Sequence, residues 1–342
     1  MSVQEFALAA EVAARRRWGA TAALLALVAL LLVISLGIGP VRLSPLAVIE
    51  ALFGGGSDVA QVIVREIRLP RTILAFAIGG ILGLSGAALQ GLLRNPLAEP
   101  GILGVSATAA LFATFVLFFG LAGAGPLILP LAAIAGALAA TLVVAIAALR
   151  TRSAVTLILV GIGLSSFSAA LMALLMNLAP NPFTLADMIN WTLGTVANRS
   201  FADLAYAAPF LAVGFGTLLA TRRGLAALAL GEEAAEGVGL DLRRQRLAVI
   251  LGAGLATGAA VSLAGAIGFV GIVAPHLVRP FVGYNPARLL VPSALLGALV
   301  LVLADIGVRL LPTDSELRLG VVAALIGAPI FVWIAARGRL VE

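Results

Sequence analysis

The chain of 342 residues contains no cysteine. That excludes a disulfide, a haem thiolate and any cysteine-ligated zinc site. Charge is scarce: 11% of residues are Asp, Glu, Lys or Arg, against about 25% in an ordinary soluble domain. The longest polar-enriched stretches, 40–71 and 222–246, are too short to enclose a core, so no soluble domain of any size is expected. There is no H-E-x-x-H, no G-x-S-x-G, no Walker A sequence and no carboxylate pair inside an apolar run. These absences argue against an intramembrane enzyme and place any ATP hydrolysis on another chain.

What is abundant is apolar surface. Hydrophobic residues make up 62% of the chain and the mean hydropathy is +1.15. Apolar runs of membrane-crossing length recur throughout, at 18–38, 70–93, 101–121, 126–149, 153–178, 202–221, 245–266, 269–284, 288–310 and 318–337. That is about ten helices, each able to cross a hydrocarbon core of about 30 Å. The eighth is short and is interrupted by Pro275 and Pro280. The fold class is therefore an all-α polytopic membrane protein, one transmembrane domain over 1–342. The pI near 11.2 does not point to nucleic acid, because the arginines sit in small clusters at the ends of apolar runs. Arg15, Arg16 and Arg17 precede a run of full span length that ends in GPVRLSP without an A-x-A site. It reads as an uncleaved first helix.

Arginine placement gives the orientation. Arg15–Arg17 put the N-terminus in the cytoplasm, and the even span count returns the C-terminus there, with Arg337 and Arg339. Arg94, Arg150, Arg152, Arg222, Arg223, Arg243, Arg244 and Arg246 fall on the same inner side. The outer segment 40–71 breaks the rule with Arg42, Arg65, Arg68 and Arg71.

The chain also resembles itself. GLSGAALQGLL (83–93) and GLATGAAVSLAG (254–265) share a GAA core, and each is followed by a proline, Pro100 or Pro275, expected to open a new helix. Helix 2 would run inward and helix 7 outward, the pattern of an inverted repeat, over 67–178 and 245–337. Gly79, Gly83 and Gly86 put small residues on one face of helix 2 for close packing. The stretch RNPLAEPGILGVS (94–106) then interrupts the apolar sequence with Asn95, Pro96, Pro100 and Gly101. It reads either as an ordered inner turn or as a rigid element beside a pathway, since exposed polar backbone is excluded from lipid.

Three blocks identify a family: IRLPRTILAFAIGGILGLSGAALQGLLRNPLAEPGILGVS (67–106), LAGAIGFVGIVAPHLVRPFVG (263–283) and ELRLGVVAALIGAPIFVWI (316–334). They resemble the FecCD family, the permease subunits of type II ABC importers for iron–siderophore complexes, haem and cobalamin. The resemblance covers about residues 20–340. It implies ten helices in the type II permease fold, a homodimer in the bacterial inner membrane, two cytoplasmic ATPase subunits that hold ATP and Mg, and a periplasmic binding protein. It implies no cofactor on this chain. The segment 222–246 resembles the family's coupling helices, through Gly231, Glu232, Ala235, Gly239 and Leu240; read alone, it is an amphipathic surface loop. Arg68, Arg71 and Arg309 match outward-facing arginines that receive the binding protein. Read alone, Arg68 and Arg71 snorkel to headgroups and Arg309 pairs with Asp305 four residues earlier. His276 belongs to a recurrent Pro-His pair and reads as structural rather than as a haem ligand. Asn181, Asn190, Trp191 and Thr195 are candidates to line an outer vestibule, with Trp191 equally suited to anchor at the interface. A ferric siderophore or other iron chelate is the expected cargo, with haem or cobalamin as alternatives. A secondary transporter is a remote alternative, because relay groups within the spans are almost absent.

Overall fold

A computed structural model of the chain describes residues 3–311 and 316–336, and among these every regular element is a helix. Arg337 and Arg339, assigned above to the inner face, lie outside the described residues. The chain begins with α1 (Val3–Gly37), α2 (Pro45–Leu52) and α3 (Asp58–Gln61). A π-helical stretch, Val62–Arg68, joins α3 to α4 (Leu69–Leu93). Next come α5 (Val105–Phe118), α6 (Ile128–Arg150), α7 (Ala154–Asn177), α8 (Pro182–Thr192) and α9 (Phe201–Ala220). Two short helices, α10 (Arg222–Leu228) and α11 (Glu232–Gly237), precede α12 (Leu242–Ala264), α13 (Val270–Val282), α14 (Pro286–Leu310) and α15 (Leu319–Ala336).

Seven of these are long and apolar enough to cross a membrane among the described residues, and α5, α13 and α15 are shorter apolar helices. Together they are the expected spans, with four corrections. The second span does not start near residue 70 but at Asp58, as one 36-residue rod. The Leu69 amide bonds back to the Val64 carbonyl, five residues earlier. This wider turn carries the helix into Pro70, which has no amide to contribute. Residues 179–198, expected as a connection, contain α8, whose first turn is capped by Asn181. Pro100 does not open a helix, because turns continue to Gly104 and α5 begins at Val105. Pro275 lies inside α13, which starts at Val270.

The inverted repeat is visible in the packing. α4, α5, α6 and α7 correspond to α12, α13, α14 and α15, run in the opposite sense. α4 packs most closely on α14, and its counterpart α12 packs most closely on α6. Both contacts are made through glycine. A Cβ at Gly79 or Gly83 would overlap the carbonyls of Gly297 and Ser293 on α14. One at Gly254 or Gly258 would overlap Thr141 and Ala137 on α6. In hydrocarbon no hydrophobic effect drives helices together, so this close van der Waals approach and the interhelical hydrogen bonds do. In α4, α12 and α14, 78% of the most apolar stretch is buried, against 17% in α7 and α9. The first three form the centre, and α7 and α9 are peripheral.

Substitution by alanine should separate these glycines sharply. At Gly86 the added carbon meets the backbone of Gly271, which cannot move aside, whereas at Gly80 the nearest atom is 3.6 Å away. Gly86→Ala and Gly83→Ala should each cost about 1–3 kcal/mol by overpacking, read as a lower thermal midpoint in detergent. Gly80→Ala should match the parent protein.

Candidate functional site

The two ends of α4 define two ends of the bundle, one at Arg71 and one at Arg94. Between them, two half-helices begin at mid-depth. Gly86 is about two-thirds along α4, and a Cβ there would overlap the carbonyl of Gly271, in the first turn of α13. A Cβ at Gly161, two turns inside α7, would overlap the Ile102 carbonyl. The segment 94–104 therefore folds up between the helices, against α7 and the start of α13. Its backbone satisfies itself through tight turns. Asn95 Oδ1 accepts from the Leu97 amide at 2.9 Å, and the amides of Ile102, Leu103 and Gly104 donate to the carbonyls of Glu99, Pro100 and Gly101. Ser165 Oγ of α7 donates to the Gly101 carbonyl at 3.4 Å. α5 starts from Gly104 and α13 from Phe269, both with positive φ (80° and 67°). For phenylalanine that conformation is strained.

The second half-helix has a further requirement. Pro275 has no N–H, which leaves the carbonyl of Gly271 without its helical donor. Gln90 Nε2 supplies one at 3.3 Å. Arg279 Nη2 in turn donates to Gln90 Oε1 at 2.9 Å. His276 follows Pro275 and is half-buried. Glu99 reaches the other side of this helix start. Its Oε2 would lie 3.4 Å from a Cβ at Gly271, and its carboxylate accepts from the Phe269 backbone. Sequence reasoning left Glu99 and Gln90 unassigned. The signal for Gln90 was its polarity inside an apolar run.

At the Arg71 end the three singled-out arginines turn inward. Arg68 and Arg71, read alone as snorkelling to headgroups, are instead 4% and 9% exposed. Arg68 Nη1 donates to the Leu36 and Gly37 carbonyls at 2.9 and 3.0 Å, and Nη2 donates to Val41 O. The Leu36 and Gly37 carbonyls end α1 and have no helical donors of their own. Arg71 Nε donates to Asp305 Oδ1 at 2.8 Å and Nη2 to Glu316. Arg309 Nη2 lies 2.8 Å from Asp305 Oδ2, the expected i,i+4 pair. Its Nη1 donates to the Ser35 and Ile38 carbonyls at 2.8 and 3.0 Å. Asp305 thus bridges two guanidiniums and joins α1, α4 and α14 to residue 316. The Arg71–Asp305 link spans 234 residues and leaves no local trace in sequence. Arg42 and Arg65 remain exposed at this end.

The vestibule candidates separate into two groups. Asn190, Trp191 and Thr195 are held where α8, α12 and α15 meet. The Thr195 amide donates to the Ala264 carbonyl at 2.7 Å, and the Gly320 amide to that of Gly194 at 3.3 Å. Asn190 Oδ1 accepts from Arg318 at 2.8 Å. Trp191 is half-buried against the core. Asn181 stands apart, its Oδ1 accepting from the Thr184 amide at 2.9 Å as the cap of α8.

At the Arg94 end, α11 hangs below the bundle. Ala235 is buried, and Glu232 Oε1 accepts from Arg246 at 2.8 Å. Arg246 also donates to the carbonyls of Thr151 and Arg152 at 3.4 and 3.1 Å. Gly231 and Gly239 bracket the helix with φ of 112° and 86°, and neither would meet a neighbour if a Cβ were added. They are there for backbone conformation, not for space. The Leu240 amide donates to the Ala235 carbonyl at 3.0 Å, closing the turn after α11. Leu230 and Val238 are 74% and 73% exposed.

The chain matches the model of the FecCD transport family over residues 27–337. It is 38% identical over 294 residues to the ABC transporter permease protein YvrB of Bacillus subtilis, covering 83% of each chain. It is 38% identical over 326 residues to the vitamin B12 import system permease protein BtuC of Vibrio parahaemolyticus, covering 95% of this chain and 96% of that one. A solved structure described as an inward-facing metal-chelate type ABC transporter superposes with a TM-score of 0.83 at 32% identity, covering 93% and 98% of the two chains.

The Asp305 bridge is testable without reference to transport. Asp305→Asn keeps the shape but leaves two buried guanidiniums without their shared counter-charge. Stability should fall by about 3–5 kcal/mol, seen as a large drop in thermal midpoint. Glu316, whose side chain is 37% exposed, is the weaker partner, and Glu316→Gln should cost about 1 kcal/mol or less.

Proposed function

The chain belongs to the FecCD transport family, and from that premise we propose how this ABC importer permease works and what it carries. It pairs with a second copy of itself, and cargo crosses between them by alternating access. The observation that carries this reading is the exposed face around the half-helices. α7 packs on α5 and α6 on one side while Val155, Leu159 and Phe167 remain 64%, 61% and 64% exposed. The opposite, buried face of α7 covers the half-buried turns of 94–104 through Gly161 and Ser165, so polar backbone beside the exposed face is enclosed by protein, as a bilayer requires.

ATP is hydrolysed on separate cytoplasmic subunits, which bind nucleotide and Mg and grip the segment 222–246. Exposed Leu230 and Val238 suit a protein groove. Gly231, Glu232, Ala235, Gly239 and Leu240 hold α11 in the shape that groove receives. The orientation follows: the Arg94 end is cytoplasmic, with both termini, and the Arg71 end faces the periplasm in the inner membrane. A binding protein docks at the Arg71 end. Arg68, Arg71 and Arg309 shape that rim from within, and the exposed Arg42 and Arg65 present positive charge for steering.

We assign the cargo to a ferric siderophore or another iron chelate. Relatives named for siderophore, ferric citrate and hydroxamate import match over most of this chain. Cobalamin is the second reading, favoured by relatives named for vitamin B12 import at 38% identity. We assign contact with cargo at the mouth to Asn190, Trp191 and Thr195, which cluster where α8, α12 and α15 meet.

Two measurements test this. Cells lacking the gene, given labelled ferric siderophore, haem and cobalamin under iron limitation, should lose iron-chelate uptake and regain it on complementation. Loss of cobalamin or haem uptake alone would overturn the cargo and keep the permease. Gly239→Val forces a β-branched residue to positive φ. It should lower uptake about tenfold or more while the purified complex still hydrolyses ATP; normal uptake would remove 222–246 from the coupling role.

A further inference from the structure

A cavity of about 420 Å³ opens at the Arg94 end between α4, α10, α13 and the start of α14. Gln90, Arg94, Arg279 and Tyr284 are its polar lining, and no lining residue is acidic. Arg94, exposed in the left-handed cap of α4, donates from Nη2 to the Leu228 carbonyl at 2.9 Å. Arg279 is fixed more firmly, through Gln90 to the Gly271 carbonyl. Each guanidinium carries five donors, and in both cases the partner is a neutral carbonyl oxygen. Among the described residues neither forms an ion pair, whereas nearby Arg152, Arg244 and Arg246 pair with Glu236, Asp241 and Glu232. Two positive charges thus face one cavity with no counter-charge. Phe281 and Tyr284, 55% and 80% exposed, stand at the same end of α13, where interfacial aromatics meet headgroups.

We propose that this cavity binds the phosphate of an anionic phospholipid. Arg279 is the fixed donor and Arg94 the second arm. Guanidinium forks match phosphate oxygens, and basic pockets between membrane helices suit anionic headgroups. A free phosphate would offer the same oxygens, but the flanking aromatics favour a molecule anchored in the bilayer. The proposal rests on the reading of this end as a leaflet surface. It gives that reading a consequence: the lipid joins α10, the first helix of the coupling segment, to the half-helix α13.

The test is native mass spectrometry of the purified full-length permease complex, titrated with phosphatidylglycerol, with phosphatidylcholine of the same acyl chains, or with inorganic phosphate. Phosphatidylglycerol adducts should survive in preference to phosphatidylcholine. They should fall about tenfold or more in the Arg94→Gln/Arg279→Gln variant, and persist in Arg279→Lys and in Arg150→Gln, outside the cavity. Arg94→Gln alone, at an exposed site, should give a partial loss and guards against a folding defect in the double variant. Retention unchanged in both glutamine variants overturns the proposal. So does displacement of the lipid by millimolar phosphate, which would make this a free-anion site. Loss of the ATPase subunits with lipid retention unaltered would make it a protein contact instead. The readout does not depend on uptake, so failure here leaves the importer reading standing, and a failed uptake assay leaves the lipid result to be judged alone.

Discussion

Polar backbone inside a bilayer must find partners within the protein, and two interrupted helices make that demand the governing constraint of this fold. α5 and α13 start at mid-depth, so the segments that lead into them carry unpaired amides and carbonyls to a place without water. The first solves this with consecutive turns over 99–104. The second recruits Gln90 to the carbonyl that Pro275 strands. The second needs α4 close by, which Gly86 allows at Gly271; the first is seated on α7 at Gly161, while Gly79 and Gly83 bring α14 against α4. The glycines, the prolines and the one glutamine in the apolar run of α4 are therefore parts of one device.

The same constraint explains which parts of the sequence were legible. Spans announce themselves by length and apolarity, and apart from Asp58–Leu93 and the early start of α1 at Val3, their positions agree with the helices to within a few residues. The glycine face of α4 was legible because close approach in lipid has few other solutions. The GAA match was a short trace of the repeat, and the pairing of α4 with α14 and of α12 with α6 supplies its physical content. What misled was proline. Pro100 and Pro275 look like helix starts, yet one lies among turns and the other inside a helix, because a side-chain donor can replace the amide that proline removes.

Long-range pairing was the other illegible part. Arg309 and Asp305 sit one turn apart and were paired from spacing alone. Arg71 shares the same carboxylate from 234 positions away, and Arg68 ties down the carbonyls at the end of α1. Four arginines on the outer side looked like a breach of the charge rule for membrane topology. Two of them are buried with partners, so their charge is spent inside the protein, and only Arg42 and Arg65 remain exposed as an exception. Glu99 was left unassigned because one reading of 94–106 was an ordered inner turn, where a carboxylate is unremarked. Its significance comes from depth, which sequence does not record.

These two ends differ in mechanical character, and that difference bears on how an ATP-driven motion could be used. At the Arg71 end, Asp305 binds the guanidiniums of Arg71 and Arg309, and Arg309 and the neighbouring Arg68 hold the end of α1; the network is buried and any displacement breaks several charge-assisted bonds together. At the Arg94 end, α11 is six residues long and is retained by buried Ala235 and by the contact of Glu232 with Arg246, whose partner carboxylate is 36% exposed. Segments with few buried contacts open at low free energy. A force applied at α11 therefore meets a compliant arm first, passes through Arg246 into the base of α12 and the 151–152 connection, and reaches the glycine contacts of α12 with α6. The Arg71 end is built to resist the same displacement. Under the coupling role proposed for 222–246, a bundle stiff at one end and compliant at the other would pivot rather than translate, and the two half-helices lie between its stiff and compliant ends.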